Sequence, residues 1–236
     1  MQEGSDWLRR FAVISDIHAN LEALEEVLRM VEGMELYCLG DFVDYGADPN
    51  EVVELLRDKE VRAIMGNHDA AALTGDTSQF NPRAAMSSIW TAGRLTPASR
   101  EYLRALPEEL RVRFEKVDIY FTHGSPDDRL WEYVDPRTHS DLFGYYLDRL
   151  GVQLIGLGHT HVPYVWKEGR RIVFNPGSVG QPRDLDRRAA YAQVTVEGSD
   201  IQVKVKRVEY DVGKAASRIR AAGLPESFAE RLSTGS

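Results

Sequence analysis

The stretch Phe11-Ala12-Val13-Ile14-Ser15-Asp16-Ile17-His18 is an apolar run of strand length that ends in an aspartate and a histidine. Four later apolar runs are also followed directly by polar residues. They are Leu36–Leu39 before Gly40-Asp41-Phe42-Val43-Asp44, Val61–Met65 before Gly66-Asn67-His68-Asp69, Ile119–Thr122 before His123-Gly124, and Val152–Leu157 before Gly158-His159-Thr160-His161. Short apolar runs are typical of buried strands, and open α/β sheets bind ligands at the carboxyl ends of their strands. The pattern therefore predicts that the polar clusters converge into one site.

Histidines and acidic residues dominate these clusters, and no cysteine accompanies them there. Five of the six histidines lie in the clusters, and only His139 lies outside them. A single histidine near a strand end is more often structural than a ligand. Five of them, each after a strand-like run, indicate a metal site built from oxygen and nitrogen ligands. We expect His139, at the predicted start of a helix, to be solvated or to cap that helix.

The first third of the chain has the pattern of a βαβαβ unit, with parallel strands and right-handed crossovers. The expected strands are Arg10–Ser15, Leu36–Leu39 and Val61–Met65, and the expected helices are Leu21–Val31, capped by Asn20, and Pro49–Asp58. Residues 70–106 are mostly helical by composition and are expected to flank the site.

After His161 the pattern changes to alternation with hairpin turns, which implies a second sheet. The paired segments are Val162–Trp166 with Ile172–Phe174, and Ala189–Val196 with Ile201–Val208. The tail Gly213–Leu232 has the pattern of two short helices, broken at Gly223-Leu224-Pro225.

Length and composition indicate one domain, residues 1–236, because 236 residues with 43% hydrophobic content can build a single core. The formal net charge of −8 argues against a surface that coats nucleic acid, but a small phosphoester remains compatible. Self-association into a homo-oligomer is also compatible with the sequence.

Features that decide the cellular compartment point to the cytoplasm. Cys38 is the only cysteine and lies in an apolar run, so an intramolecular disulfide is impossible. The segment Met1–Asp6 is polar and acidic, unlike a secretory signal, and no run approaches the roughly 18 apolar residues of a membrane span. We therefore expect a cytoplasmic protein without a membrane partner.

In their order along the chain, the motifs Asp-x-His, Gly-Asp-x-x-Asp, Gly-Asn-His-Asp, His-Gly and Gly-His-Thr-His resemble those of the calcineurin-like metallophosphoesterase superfamily. Within that superfamily, Gly40–Glu51 and Asn175–Arg183 resemble the small bacterial and archaeal phosphodiesterase branch. The resemblance implies an α/β fold, a four-layer α-β-β-α sandwich of two mixed sheets. It also implies a binuclear metal-dependent phosphodiesterase that cleaves a small phosphodiester by in-line attack of a metal-bridging hydroxide.

The resemblance assigns ligands to two divalent ions. The first ion would be bound by Asp16, His18 and His161, the second by Asn67, His123 and His159, and Asp41 would bridge both. A mixed set of oxygen and imidazole ligands suits Mn, Fe, Zn or Ni better than Mg or Ca. Manganese is the expected ion.

His68 would not be a ligand but a catalytic residue over the phosphoryl group, where it donates a hydrogen bond or a proton to the leaving oxygen. Asp44 would orient His68, the alternative being a carboxylate on a surface loop. For Asp69 we expect a helix cap for Ala70–Leu73.

Asn67, Arg183 and Tyr45 are candidate substrate-binding residues. Arg183 could hold a phosphate in a bidentate manner or could instead donate to backbone carbonyls. Tyr45 and Met65 stand where related monoester-cleaving and tetraphosphate-cleaving enzymes have arginines, which favours a diester. Tyr45 could stack on a base or simply pack in its loop. The alternative functions are a phosphomonoesterase or nucleotide pyrophosphatase with the same site and, in another class, a non-catalytic protein-binding scaffold.

Overall fold

The computed structural model describes residues 8–114 and 116–236, so the segment Met1–Asp6 lies outside the described residues. The strands are β1 Leu8–Ile14, β2 Glu35–Cys38, β3 Arg62–Ala63, β4 Glu109–Phe114, β5 Val117–Thr122, β6 Leu154–Leu157, β7 Tyr164–Glu168, β8 Arg171–Asn175, β9 Ala189–Glu197 and β10 Asp200–Val208. The helices are α1 Leu21–Met30, α2 Pro49–Asp58, α3 Asn67–Thr74, α4 Pro82–Ala92, α5 Pro97–Arg104, α6 Pro136–Leu150, α7 Val212–Ala221 and α8 Glu226–Thr234.

Two five-stranded mixed sheets form the centre of the fold, in the orders β10-β9-β1-β2-β3 and β4-β5-β6-β8-β7. Apolar side chains of both sheets, such as Phe11, Tyr37 and Phe121, pack between them. Helices α1, α2, α7 and α8 cover the outer face of the first sheet, and α6 covers that of the second. The fold is therefore the expected four-layer α-β-β-α sandwich of two mixed sheets.

The predicted βαβαβ unit is confirmed. Strands β1 and β2 are parallel, as are β2 and β3. The side chain of Asn20 caps α1 by accepting from the Ala23 amide at 3.1 Å, and α2 begins at Pro49, where the missing amide hydrogen is no loss. Strand β3 is shorter than predicted because the amide of Met65 donates to the Pro107 carbonyl at 2.8 Å instead of continuing the ladder.

The prediction that both hairpins after His161 build the second sheet is only half right. Strands β7 and β8 do belong to it, but β9 pairs antiparallel with β1 and so extends the first sheet together with β10. Alternation identifies a hairpin but not the sheet edge to which it adds, and here the free edge of β1 accepts it. Strand β4 and most of α6 were not predicted.

The two tail helices are confirmed as α7 and α8, separated near Gly223-Leu224-Pro225. They pack on the helical face of the first sheet through buried residues such as Ile219 and Phe228. Within the described part of the chain, no helix combines the length and apolarity needed to cross a bilayer.

Gly180 allows the segment after β8 to dock on the turn after β1. Its amide donates to the Asp16 carbonyl at 3.1 Å, and an added Cβ would lie 1.7 Å from the Ile17 carbonyl oxygen. Because the Ile17 carbonyl is backbone and cannot rotate away as a side chain would, Gly180→Ala should destabilise the protein by about 1–3 kcal/mol or more. Urea unfolding would measure this loss. The control Gly213→Ala, with no atom closer than 3.4 Å to the new Cβ, should be neutral or mildly stabilising, and equal midpoints for the two variants would contradict the expectation.

Candidate metal centre

The predicted site residues follow strand ends of both sheets, which meet at one end of the sandwich. Asp16 and His18 follow β1, Asp41 follows β2, and Asn67 begins α3 after β3. The second sheet contributes His123 after β5, with His159 and His161 after β6. All of these side chains are buried.

These residues form two groups whose potential ligand atoms lie within 4.8 Å of one another. One group comprises Asp16, His18, Asp41 and His161, and the other comprises Asp41, His123 and His159. Asn67 adds to the second group, since its Oδ1 lies 3.0 Å from His123 Nε2. The structure thus brings all seven predicted ligands together, with Asp41 common to both groups.

The histidine hydrogen bonds of the first group leave lone pairs that require a cation. His18 donates from Nδ1 to the Val43 carbonyl at 2.9 Å, and His161 donates from Nδ1 to the Gln181 carbonyl at 2.6 Å. In the neutral rings, both Nε2 atoms therefore carry lone pairs, yet they lie only 3.0 Å apart. A bound metal ion would turn this repulsive contact into a shared ligand set.

The second group shows the same pattern of orientation. His123 donates from Nδ1 to the Leu39 carbonyl at 2.7 Å, and its Nε2 lies 3.3 Å from Asp41 Oδ2. His159 donates from Nε2 to the Trp131 carbonyl at 3.0 Å, which leaves Nδ1 as its free lone pair. Backbone carbonyls thus orient each ring, as is usual for metal-binding histidines.

Buried carboxylate oxygens complete the case for cations. Both oxygens of Asp16 are buried without a hydrogen-bond partner among the described residues, and Oδ2 of Asp41 is buried with His123 Nε2 3.3 Å away. Buried charge of this kind is costly unless it is paired or binds a metal. The side chains present therefore fit divalent metal ions, held by a mixed oxygen and imidazole set.

The pKa values show how the site balances its charge without metal. Burial opposes ionisation of Asp41, but His123 and His68 outweigh it and hold the pKa of Asp41 well below its usual range. Burial likewise opposes protonation of His123, but Asp41 overrides it and raises the pKa of His123 to about 9. Burial lowers the pKa of His159 to about 3. At neutral pH His123 is therefore a cation with a proton on both ring nitrogens, whereas His159 is a neutral imidazole.

Metal binding should therefore release a proton near pH 7. His123, with a pKa of about 9, must lose its proton before Nε2 can bind a metal ion. Below that pKa, metal affinity should rise about tenfold for each pH unit. Titration calorimetry with Mn²⁺ in buffers of different ionisation enthalpy would detect the released proton, and heats independent of the buffer would contradict the expectation.

Left-handed backbone conformations are concentrated in this site. Asp16, His18, Asp41, His159 and His161 have φ angles between 49° and 68°, although none is glycine. Such conformations cost on the order of 1–3 kcal/mol each and persist where the surrounding structure enforces them. The chain thus accepts local strain at the residues that would bind metal.

Asp69 stabilises this strained backbone and belongs to neither group of potential metal ligands. Its carboxylate accepts from the amides of Asp41 and Phe42, each at 2.9 Å, and from the amide of Gly66 at 3.0 Å. Asp69 caps the helix as expected, but from its third residue: the carboxylate closes a capping box at Gly66 and also ties the turn after β2 to the start of α3.

His68 and Asp44 form a buried pair next to the metal ligands. Nδ1 of His68 lies 2.7 Å from Asp44 Oδ2, and Asp44 is fully buried, so it is not a surface carboxylate. Burial opposes protonation of His68, but the carboxylates of Asp41 and Asp44 outweigh it and raise the pKa of His68. A histidine held in this way can donate a proton or a hydrogen bond at neutral pH.

Tyr45 and Arg183 both lie beside the centre, but the Tyr45 ring is buried whereas Arg183 is half-buried. Tyr45 is 5% exposed, and its ring packs against His18, His68 and Phe228. This matches the packed-loop alternative for Tyr45. Arg183 is half-buried and donates to Gln181 Oε1 at 3.2 Å, while its Nε is buried without a partner among the described residues.

Three aromatic side chains near the centre were not predicted as site residues. Phe80 stacks on His68 with a centroid distance of 4.4 Å, Trp131 lies 5.2 Å from Phe80, and Tyr133 lies 3.9 Å from His159. They come from loops without a strand-end pattern, so only their position in the fold identifies them. His139, in contrast, interacts with Asp135 and Thr138 at the start of α6, as expected for a capping histidine.

Comparison with known proteins gives a consistent result. A sequence model of the calcineurin-like phosphoesterase superfamily domain matches residues 10–199. An uncharacterized protein of Methanocaldococcus jannaschii is 36% identical over 244 residues, which cover 95% of this chain and 97% of that protein.

Solved structures agree with this match. The crystal structure of a metallophosphoesterase from Sphaerobacter thermophilus has a TM-score of 0.81 and 36% identity, covering 97% of this chain and 99% of that one. A hypothetical protein from Pyrococcus horikoshii has a TM-score of 0.87 at 24% identity over 96% of this chain and 98% of that one, which shows the common fold. Fold, site and sequence agree, and the chain belongs to the calcineurin-like phosphoesterase superfamily.

Proposed function

We propose that the protein is a binuclear metal-dependent phosphodiesterase that hydrolyses a small phosphodiester. The observation that carries the proposal is the pair of buried ligand groups that share Asp41. When bound, two divalent ions would activate water and stabilise charge on the phosphoryl oxygens, and manganese is the ion we expect. Residues 1–236 would act as one domain, and self-association stays a prediction.

The protein residues would divide the remaining work. Asp16, His18 and His161 would hold one ion and Asn67, His123 and His159 the other, with Asp41 between them. Asn67 would also be close enough to contact the substrate phosphoryl group.

His68 would donate its proton or a hydrogen bond to the leaving oxygen, and Asp44 would keep its Nδ1 protonated and its ring oriented. The 2.7 Å contact between them supports this assignment.

The preference for a diester rests on the groups that surround the phosphoryl site. A phosphate monoester carries more charge than a diester and needs additional cations. Here Tyr45 and Met65 occupy the loop positions at which related monoester-cleaving enzymes have arginines, and the phenol of Tyr45 is packed rather than charged. Arg183 remains as a phosphate ligand in its neighbourhood.

A phosphomonoesterase or nucleotide pyrophosphatase would use the same site and is the alternative within enzymes. A non-catalytic scaffold is a third possibility, but a scaffold has no need of buried unpaired carboxylates or of left-handed ligand residues. Both features support an enzyme.

Hydrolysis of bis(p-nitrophenyl) phosphate, compared with p-nitrophenyl phosphate, tests the proposal. Protein stripped with a chelator should be inactive, and Mn²⁺ should restore turnover of the diester with little turnover of the monoester. Ni²⁺, Zn²⁺, Fe²⁺ and Mg²⁺ are added in parallel. The reverse preference would favour a monoesterase, and metal binding without any hydrolysis would favour the scaffold.

A further inference from the structure

Beside the metal centre lies an open cleft of about 800 Å³ that none of the predicted ligands enters. Its lining includes Tyr45, Arg83 at the start of α4, and Arg231 on α8. Tyr45 connects the cleft to the centre, since the same ring contacts His18 and His68 with centroid distances of 4.8 Å. The cleft therefore lies one side chain away from the metal-ligand candidates.

Three arginines, Arg183, Arg231 and Arg83, form a row from the centre into the cleft, which we call the arginine row. The charge of Arg183 acts on Asp16, His18 and His161, which places it beside the ligands. Arg231 is half-buried, and burial, together with the charges of Arg183 and Arg83, lowers its pKa. Like charges have thus been brought together at the mouth of the site.

No member of the arginine row forms an ion pair with an Asp or Glu side chain among the described residues, whereas many other arginines of the chain do. Arg231 donates from Nε to a main-chain oxygen of Ser236 at 2.8 Å, and Nε of Arg183 is buried without a partner among the described residues. Glu230 also lines the cleft, but its carboxylate interacts with Arg220 on α7. Guanidinium groups that converge on a cleft without an Asp or Glu ion pair are suited to an anion.

Resting on the proposed function, we propose that the arginine row is a second phosphate subsite, and that the substrate is a phosphoester carrying another phosphate close to the scissile one. Arg231 and Arg83 bind the second phosphate, and Arg183 bridges the two positions. Guanidinium groups bind phosphate in a bidentate manner. Because the formal net charge of the chain is −8, the arginine row is a local positive patch and not part of a generally basic surface.

A matched pair of substrates isolates the second phosphate. Both are p-nitrophenyl esters of thymidine 5′-phosphate, one with a free 3′-hydroxyl and one with a 3′-phosphate, so the cleaved bond is the same. The wild-type protein should prefer the phosphorylated substrate in kcat/KM by about tenfold to a hundredfold, mainly through KM.

Arg231→Met keeps the aliphatic stem and should reduce this preference to about threefold or less, without changing kcat for the unphosphorylated ester. Arg83→Met, at an exposed position, is a second variant with the same expected direction. The control is Arg220→Met, because Arg220 belongs to the same helix pair but forms an ion pair with Glu226. A wild-type protein without preference, or an Arg231→Met protein that retains it, would overturn the subsite.

A binding measurement separates the subsite from the proposed function. Pyrophosphate is titrated calorimetrically into chelator-treated protein, where no metal contributes. Binding that weakens in Arg231→Met and Arg83→Met, but not in Arg220→Met, supports the arginine row even if neither ester is hydrolysed, and in that case the phosphodiesterase proposal alone has failed. Equal binding by wild type and both row variants overturns the subsite, and unfolding midpoints confirm that the variants are folded.

Discussion

Asp41→Asn should lose both tightly bound metal and hydrolytic activity, and we expect this to be the largest effect of any single substitution in the site. Among the described residues, Asp41 alone is common to both ligand groups, and its buried Oδ2 lies 3.3 Å from His123 Nε2. An amide lacks the negative charge that offsets two divalent ions. Because metal ions supply several kcal/mol of catalysis and about 1.4 kcal/mol corresponds to tenfold, turnover should fall by about 10³-fold or more.

Metal content after dialysis and diester turnover together measure this effect. The control Asp141→Asn alters an exposed carboxylate on α6 and should match the wild type in both. The fold should survive Asp41→Asn, since the amide of His68 can still donate to Oδ1 of the new side chain, as it does at 2.9 Å to Asp41. A variant that keeps its metal and its turnover would remove the basis for a shared bridging ligand.

The convergence of these side chains could be predicted from the sequence because two simple constraints coincide. Asp16, Asp41, His123 and His159 each follow an apolar run of strand length, and parallel strands carry their carboxyl ends to the same side. Helix bounds could also be predicted where end signals are local, as in α2, which begins at Pro49.

The features that could not be predicted from the sequence depend on contacts between distant segments. No local signal shows that β9 pairs with β1, because alternation is the same at either sheet edge. The approach of Arg231 to Arg183 likewise depends on how α8 docks, and the aromatic contact of Tyr133 with His159 depends on the path of a loop. These are the residues that would decide the substrate, whereas the generic chemistry lies at the strand ends.

His68→Asn should separate metal binding from catalysis. The His68 ring makes no contribution to either ligand group, so metal content should remain that of the wild type. The proton donor is lost, and general acid catalysis of this kind contributes about 10²- to 10⁴-fold. The loss should fall on kcat with little change in KM. His139→Asn, at a half-buried position near the start of α6 and outside both ligand groups, is the matched control and should leave both parameters unchanged.

Leaving-group dependence then tests what His68 does. If it protonates the leaving oxygen, His68→Asn should damage hydrolysis of an alkyl phosphodiester much more than that of a p-nitrophenyl diester, because p-nitrophenolate leaves readily without a proton. Asp44→Asn should give a weaker form of the same defect, since it removes the carboxylate at 2.7 Å that supports the protonated ring. Its kcat should also fall at lower pH than that of the wild type, because a His68 with a lower pKa loses its proton earlier as pH rises. Wild-type turnover of the alkyl diester in His68→Asn would exclude His68 as the proton donor, and an equal loss on both substrates would instead assign it to charge stabilisation at the phosphoryl group.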